Sequence, residues 1–311
     1  MARHDSSGVR ETDGAAEAAI APTPGADRAA ASARRLAVAR RRHRIEIHSW
    51  QVVIVVVVLA AWEWLPQIPG AKGTAPVLDR FFISSPSAII RQIWYLAAAA
   101  HNVPSIWPAL GRTVITSVVG TVAAIIIGGL AGLLLGNYRS LAEIFAPFIS
   151  ALNAVPRIAL IPVIVLIAGS SSVADAVTGF TVVFFLVFFS AFEGSRGVAY
   201  EMTEMMRIFG ASRTGIMFRV RLPYAGAWVF VNLPNIISHG LVGVVTAELF
   251  SGGSGMGNLL VTAVDTADST LTFGLVFYLA LVGLILILGA GLLRDRLLSW
   301  WDEAGGASRS S

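Results

Sequence analysis

Six runs of apolar residues, each long enough to cross a lipid bilayer, constrain this chain more than any single motif. A membrane-spanning helix needs about 20 consecutive apolar residues. Runs near Ile45–Leu65, Leu110–Gly136, Leu141–Ala168, Val173–Phe192, Leu222–Phe250 and Leu271–Leu293 satisfy that length. The 311 residues are 55% hydrophobic and 14% charged, with a mean hydropathy of +0.71, which places the chain outside the soluble globular class. The predicted fold class is an all-α membrane protein with six transmembrane helices. Pro147, Pro156 and Pro162 fall in the third run, so that span is expected to be kinked or broken.

The arginines set the orientation. Residues 1–44 read as a disordered basic tail: an Ala/Gly/Ser/Pro-rich stretch, then Arg34, Arg35, Arg40, Arg41, Arg42 and Arg44 directly before the first run. A cleavable signal peptide fits poorly, because the basic block lies far from the start and no small-residue cleavage site follows. Anchoring against anionic lipid explains the cluster more simply than a nucleic-acid arm. Arg139, then Arg196, Arg207, Arg213, Arg219 and Arg221, and finally Arg294 and Arg296 fall on the same side as that tail. The loops at 169–172 and 251–270 hold neither Lys nor Arg. Both termini are therefore expected in the cytoplasm, with a permease domain over 45–300 and a short tail at 301–311. Trp50, Trp62, Trp64, Trp300 and Trp301 mark expected span ends. In the first outer loop, Ser84-Ser85-Pro86-Ser87 leads into Ile89, Ile90, Ile93 and Trp94, a serine-capped amphipathic helix at the interface.

Several chemistries drop out. Without cysteine there is no disulfide, thiolate metal site or thiol nucleophile. Lys72 is the sole lysine and no phosphate-binding G-x-x-x-x-G-K-[ST] loop contains it. No cofactor is expected in this chain and no enzymatic activity, so ATP-driven work would belong to another polypeptide.

Between the fourth and fifth runs, residues 196–221 alternate charge with apolar bulk. Met202, Met205 and Phe209 fit one face of a helix, and Gly210 suits a left-handed stop. Glu201 and Glu204 lie near the start of that helix and Arg207 near its end, complementing its dipole. A face with flexible methionines suits docking into a groove on a moving partner.

Glu204 followed by Gly210, with Val220, Leu222 and Pro223 beyond, resembles the EAA signature of ABC-importer permeases. The resemblance extends to Ala211-Ser212-Arg213, Ser85-Pro86-Ser87, Val155-Pro156, Ile161-Pro162 and Ala247-Glu248 with Ser254-Gly255-Met256-Gly257, as in the nitrate/sulfonate/taurine-type subfamily. It implies a type I importer-like subunit of the bacterial inner membrane, acting as a homodimer. The partners implied are an ABC ATPase that binds ATP and magnesium, an external substrate-binding protein and membrane lipid, with no nucleic acid. Glu201, Glu204, Met205, Met206, Arg207, Gly210, Ala211, Leu222 and Pro223 are then the ATPase-coupling residues. Met205 and Met206 stand where the family carries alanines. Asn153 stands where an arginine is often found, and Arg157 follows the proline instead.

Polar groups at membrane depth are costly, which makes each a site candidate. Asn232, Asn235, His239, Gly243 and Thr246 share one face of the fifth span. They could line a translocation path or bond a neighbouring helix, and His239 could carry a proton. Asn153 and Arg157 form a second path candidate, where the cation either attracts an anionic solute or pairs with Glu143 or another carboxylate. Glu248 with its following glycines suggests an outer gate or a receptor-facing turn. Gly128, Gly129, Gly132, Gly283, Gly289 and Gly291 favour close helix packing. The expected function is the permease subunit of an ATP-driven importer for a small anion such as a sulfonate or nitrate. The alternative is an ion-coupled secondary transporter, which would leave the coupling segment unexplained.

Overall fold

A computed structural model describes residues 46–47, 49–64, 83–99 and 105–298. The tail at 1–44, Lys72, Arg80, Trp300, Trp301 and the 301–311 segment lie outside them. Ser49–Trp64 is an apolar helix, α1, about 24 Å long at 1.5 Å per residue. The chain divides into two compact units after Trp62. The second unit carries α2 (Pro86–Ala98), α3 (Trp107–Asn137), α4 (Arg139–Ala154), a 3₁₀ turn (Arg157–Leu160) and α5 (Ile161–Ala168). Then come α6 (Ser172–Arg196), α7 (Tyr200–Ile208), α8 (Arg213–Ile216) and a wide π turn (Met217–Arg221). It closes with α9 (Leu222–Val231), α10 (Leu233–Ser251), α11 (Met256–Asp265) and α12 (Ser269–Leu297).

Four helices, α3, α6, α10 and α12, are each long and apolar enough to cross a membrane, and the α4–α5 pair makes five if counted as one span. The third run is broken as its prolines led one to expect, and the fifth run breaks as well. Pro156 cannot continue α4 and forces Val155 into extended geometry (φ −69°, ψ 127°), so the pair bends by 81°. Pro162 is harmless in the first turn of α5, where its missing N–H has no intrahelical partner to lose. The fifth run also breaks, at Asn232 (φ −86°, ψ 0°), two residues before Pro234. There the Asn232 side-chain Nδ2 donates to the Trp228 carbonyl at 3.1 Å.

At the centre lies α6, flanked by α3, α10, α9 and α5. The buried face of α3 is mostly small, with Thr113, Thr116, Ser117, Gly120, Thr121, Ala124, Gly128 and Gly132 beside the larger Leu110 and Leu133. A Cβ at Gly120 would lie 2.6 Å from the Ala176 carbonyl oxygen, and one at Gly128 would lie 2.9 Å from that of Phe184. One at Gly132 would overlap the Phe188 carbonyl. The two backbones thus touch directly, which dispersion favours in a solvent as apolar as the side chains themselves. On the other side of α6, Gly243 of α10 meets Gly179, where a Cβ would come within 3.2 Å of its Cα. Val183, Val187 and Ile236 fill the core between them.

The glycines expected to pack closely divide accordingly. Gly128 and Gly132 do so, while Gly129 points aside, with Val187 Cγ1 3.9 Å from its would-be Cβ. Among the described residues, Cβ atoms at Gly289 and Gly291 of α12 would meet nothing within 4 Å, and one at Gly283 would meet Leu241 Cδ2 alone, at 3.4 Å. The reason is that α12 buries few residues, chiefly Gly274, Leu275 and Tyr278 in its first half and Ala290 beyond.

A second core of Leu96, Ile106, Leu110, Met256, Leu275 and Tyr278 joins α2, α3, α11 and α12. Tyr278 donates its hydroxyl to the Ile93 carbonyl at 2.8 Å. α2 is amphipathic as expected, burying Ile89 and Leu96 and leaving Ile90 and Trp94 exposed. The serine cap needs correcting: Ser85 holds the cap position, but its hydroxyl faces that of Ser87 instead of a backbone N–H.

The glycine seam makes a direct prediction. Gly132→Val should lower the melting temperature and folded yield in detergent, by about 1–3 kcal/mol as overpacking does. Gly129→Ala, one residue away, should leave both unchanged. Equal effects at the two positions would contradict the seam.

Candidate functional site at the two ends of the bundle

At one end, α7 projects an apolar surface away from the bundle. Tyr200, Met202, Met205, Ile208 and Phe209 are all exposed, Ile208 at 82% and Phe209 at 79%, while Met206 is half-buried and Thr203 buried. Glu204 accepts from Arg207 at 2.5 Å, an ion pair one turn apart, and Glu201 lies in the first turn. Two backbone bonds close the helix: Gly210 N–H to the Arg207 carbonyl and Ala211 N–H to the Met206 carbonyl, both 2.9 Å. This is a Schellman stop. It requires the left-handed Gly210 (φ +80°), which a side chain would destabilise by about 1 kcal/mol. Ser212 then caps α8 by accepting the Gly215 N–H at 3.1 Å.

From α8 the chain returns through the π turn to Leu222 and Pro223, both exposed at the head of α9. The wide turn suits the proline: the Leu222 N–H reaches back to the Met217 carbonyl, and Pro223 has no N–H to continue the ladder. Arg221 turns inward and donates Nη1 to the Asn137 backbone carbonyl (3.3 Å) and to Asn137 Oδ1. Asn137 Nδ2 in turn faces Met217 Sδ at 3.7 Å. Burial pulls the Arg221 guanidinium below its ordinary value, and the like charge of Arg207 acts in the same direction. The residue still stays charged.

The path candidates do not form one constellation within this chain. Asn235 and His239 are exposed on α10, Thr246 is half-buried beside the same stripe, and Gly243 at its edge is buried against α6. His239 Nδ1 lies 2.8 Å from the Asn235 carbonyl and Thr246 donates to the Val242 carbonyl at 2.7 Å, both bonds local to the helix. Asn232 reaches Ser190 on α6 at 3.3 Å. Arg157 sits at the α4–α5 bend, donates to Asn153 Oδ1 at 2.5 Å and stacks over Phe185, 5.3 Å from the ring centre. The ion pair with Glu143 is not formed. Arg139, one turn from Glu143 on the same helix, holds it at 2.8 Å, whereas Arg157 lies beyond the end of that helix, past the bend. No carboxylate among the described residues pairs with Arg157, and its Nε is buried without a hydrogen bond.

At the opposite end, Glu248 is 0% exposed. Its oxygens lie 2.8 and 2.9 Å from Thr113 Oγ1, which donates, and Oε2 accepts the Gly257 N–H at 2.9 Å. Thr113 Oγ1 accepts the Met256 N–H at 2.9 Å, so one threonine of α3 holds both the carboxylate and the start of α11. The glycines around Glu248 have a steric function here. A Cβ at Gly255 would overlap the Glu248 carboxylate, and one at Gly257 would lie 2.6 Å from Glu248 Cβ. Beside it, Arg112 donates to Ser254, and buried Asp175 has Ser251 and Arg112 as polar neighbours. Sequence reasoning missed Arg112, Thr113, Asp175 and Asn137. Arg112 and Asp175 were the detectable ones, each a charge inside an apolar run.

Gly255→Ala should accordingly disrupt this end, with a melting-temperature loss equivalent to about 1–3 kcal/mol. Gly252→Ala, with open space around it but φ +62°, should lose only about 1 kcal/mol from backbone strain. Thermal unfolding of the two variants side by side checks the order.

Comparison with known proteins fits this arrangement. A family model described as "Binding-protein-dependent transport system inner membrane component" matches residues 120–301, more than half of the chain. The chain is 29% identical over 168 residues to the riboflavin transport system permease protein RibX of Chloroflexus aurantiacus, across 54% of this chain and 62% of that one. It is 22% identical over 231 residues to the taurine transport system permease protein TauC of Escherichia coli, across 74% and 84% of the two chains. With the nitrate import permease protein NrtB of Leptolyngbya laminosa it shares 24% identity over 180 residues, 58% and 64% of the chains. It spans less than two thirds of RibX and of NrtB. Four to five helices long and apolar enough to cross a membrane among the described residues, and the match over 120–301, make this a multi-pass inner-membrane protein of the binding-protein-dependent transport system family.

Proposed function

We propose that this chain is the permease subunit of an ATP-driven importer that moves a small anion delivered by an external binding protein. One observation carries the reading: an exposed apolar helix, α7, ends at a left-handed glycine and lies between two membrane spans. An isolated soluble end has no reason to expose Ile208 and Phe209 this fully. A groove on an ABC ATPase that binds ATP and magnesium is the partner that fits, with Glu201, Glu204, Met205, Met206, Arg207, Gly210, Ala211, Leu222 and Pro223 as the coupling residues. The six-span topology then uses α1 as the first span, the bent α4–α5 pair as the third and α9–α10 as the fifth, with both termini cytoplasmic. A second permease copy is supported by α4, which buries none of its residues among the described ones and exposes Ile144, Phe148 and Leu152.

The anion follows from Arg157. A cation with no carboxylate partner, at the bend of an apolar helix pair, attracts negative charge at lower effective permittivity than a surface arginine does. The taurine and nitrate relatives point the same way, taurine through its sulfonate; riboflavin, named for another relative, is the competing solute. Asn153, Asn232, Asn235, His239 and Thr246 are the other path residues in this reading, and Glu248 holds the end that would face the binding protein.

Reconstitution in liposomes with the ATPase and binding protein tests it, with labelled taurine, nitrate and riboflavin compared. Phe209→Asp and Glu204→Lys should abolish ATPase capture and reduce uptake at least about tenfold, in keeping with the loss of an interface anchor, while membrane insertion stays normal. Uptake at the parental rate with either variant would refute the docking site.

Arg157→Gln should depress anion uptake at unchanged folded yield. Arg139→Gln, whose ion pair with Glu143 is exposed, should do little, because solvent screens such pairs. If both variants behave alike, Arg157 has no role in attracting the solute.

A further inference from the structure

The C-terminus of α3 meets the coupling segment sideways, and this contact is distinct from the covalent route. Along the chain, α7 connects to the membrane through α8 and the π turn. A π turn interrupts the regular α ladder, and such interruptions are frequent at functional sites. The lateral contact braces this turn, because Asn137 of α3 meets both its first residue, Met217, and its last, Arg221. Arg221 donates to the backbone carbonyl of Asn137 and to its side-chain oxygen, while Asn137 Nδ2 faces Met217 Sδ at 3.7 Å. That carbonyl belongs to the last turn of α3, whose oxygens lack intrahelical donors and attract a cation. Arg221 Nε is buried without a hydrogen bond, so Asn137 is the chief acceptor holding this guanidinium in place.

The far end of α3 is equally tied. Thr113, about 36 Å away at 1.5 Å per residue, holds the Glu248 carboxylate and the Met256 N–H. Between the two ends the glycine seam fixes α3 to α6 with backbone in contact.

We propose that Asn137 is a positioning residue, which couples displacement of the α7–α8 segment to α3 and through it to the buried Glu248–Thr113 contact at the opposite end. The inference rests on the reading of α7 as the ATPase dock. Asn137 touches no solute in this role. It braces the π turn through which the coupling segment returns.

The test uses the full chain in liposomes with its ATPase and binding protein, and measures ATPase capture, ATP hydrolysis and solute transported per ATP. Asn137→Leu, branched at the same carbon, keeps the backbone carbonyl but loses the side-chain acceptor, and should capture the ATPase normally and hydrolyse ATP. Its transport per ATP should fall about tenfold, the scale at which residues along a coupling route act. Asn137→Asp keeps an acceptor for Arg221 and should stay near the parental ratio, a difference that a purely structural role would not produce. A parental ratio in Asn137→Leu overturns the proposal, as does equal impairment of the leucine and aspartate variants. Should Asn137→Leu fail to accumulate, Arg221→Lys is read instead, since a single ammonium cannot reproduce the guanidinium fork; there a lowered ratio supports the role and an unchanged one overturns it. Failure of the unmodified chain to capture the ATPase overturns the docking reading and this inference with it, and differs visibly from failure of Asn137 alone, which leaves capture intact.

Discussion

Backbone contact between α3 and α6 is the interaction on which the rest of this structure depends. In a bilayer the solvent is as apolar as a leucine side chain, so burying leucine between helices gains little. What remains is close packing, and glycine permits the closest. Gly120, Gly128 and Gly132 occupy one side of α3 and place it against the carbonyls of Ala176, Phe184 and Phe188. With that pair fixed, Gly179 on the next side of α6 accepts α10, and Val183, Val187 and Ile236 close the core.

The large apolar residues are consequently turned outward. Ile115, Val119, Ile126, Ile127 and Leu130 of α3 are exposed, as are Leu284, Ile285, Leu288 and Leu292 of α12. In a soluble protein such a surface would mark an error of folding; across a membrane it is the solvated face. The same inversion explains the polar core at the turn end. Glu248, Asp175 and Thr113 are among the most buried side chains, and Glu248 is held by donors that α3 and the Gly255–Gly257 turn supply. The α7 surface differs from both, because its exposed Ile208 and Phe209 lie on a segment too charged and too short to span a bilayer.

Much of this was legible from residue order. The apolar runs gave α3, α6 and α12 nearly to their ends, and the helix stop at Gly210 is where the glycine predicted it. The breaks were less legible. Pro156 announced one, whereas the break at Asn232 hid in a run that reads as continuous, with Pro234 as the only sign. The ion pair considered between Arg157 and Glu143 failed because Arg139 competes from a single turn away, and helix geometry favours the nearer partner.

By itself the sequence determined the class of protein and the elements from which it is built. Hydropathy and backbone hydrogen bonding leave a membrane chain with long apolar runs no choice but helices, and a glycine after a charged amphipathic stretch stops one locally. Only the tertiary structure decided which polar residues meet. Thr113 with Glu248, and Asn137 with Arg221, are separated by more than 80 residues and carry no periodic signal linking them. Their pairing follows from the direction in which the glycine seam sets α3 against α6, and side-chain contact across helices is a property of that docking, to which local residue order is blind.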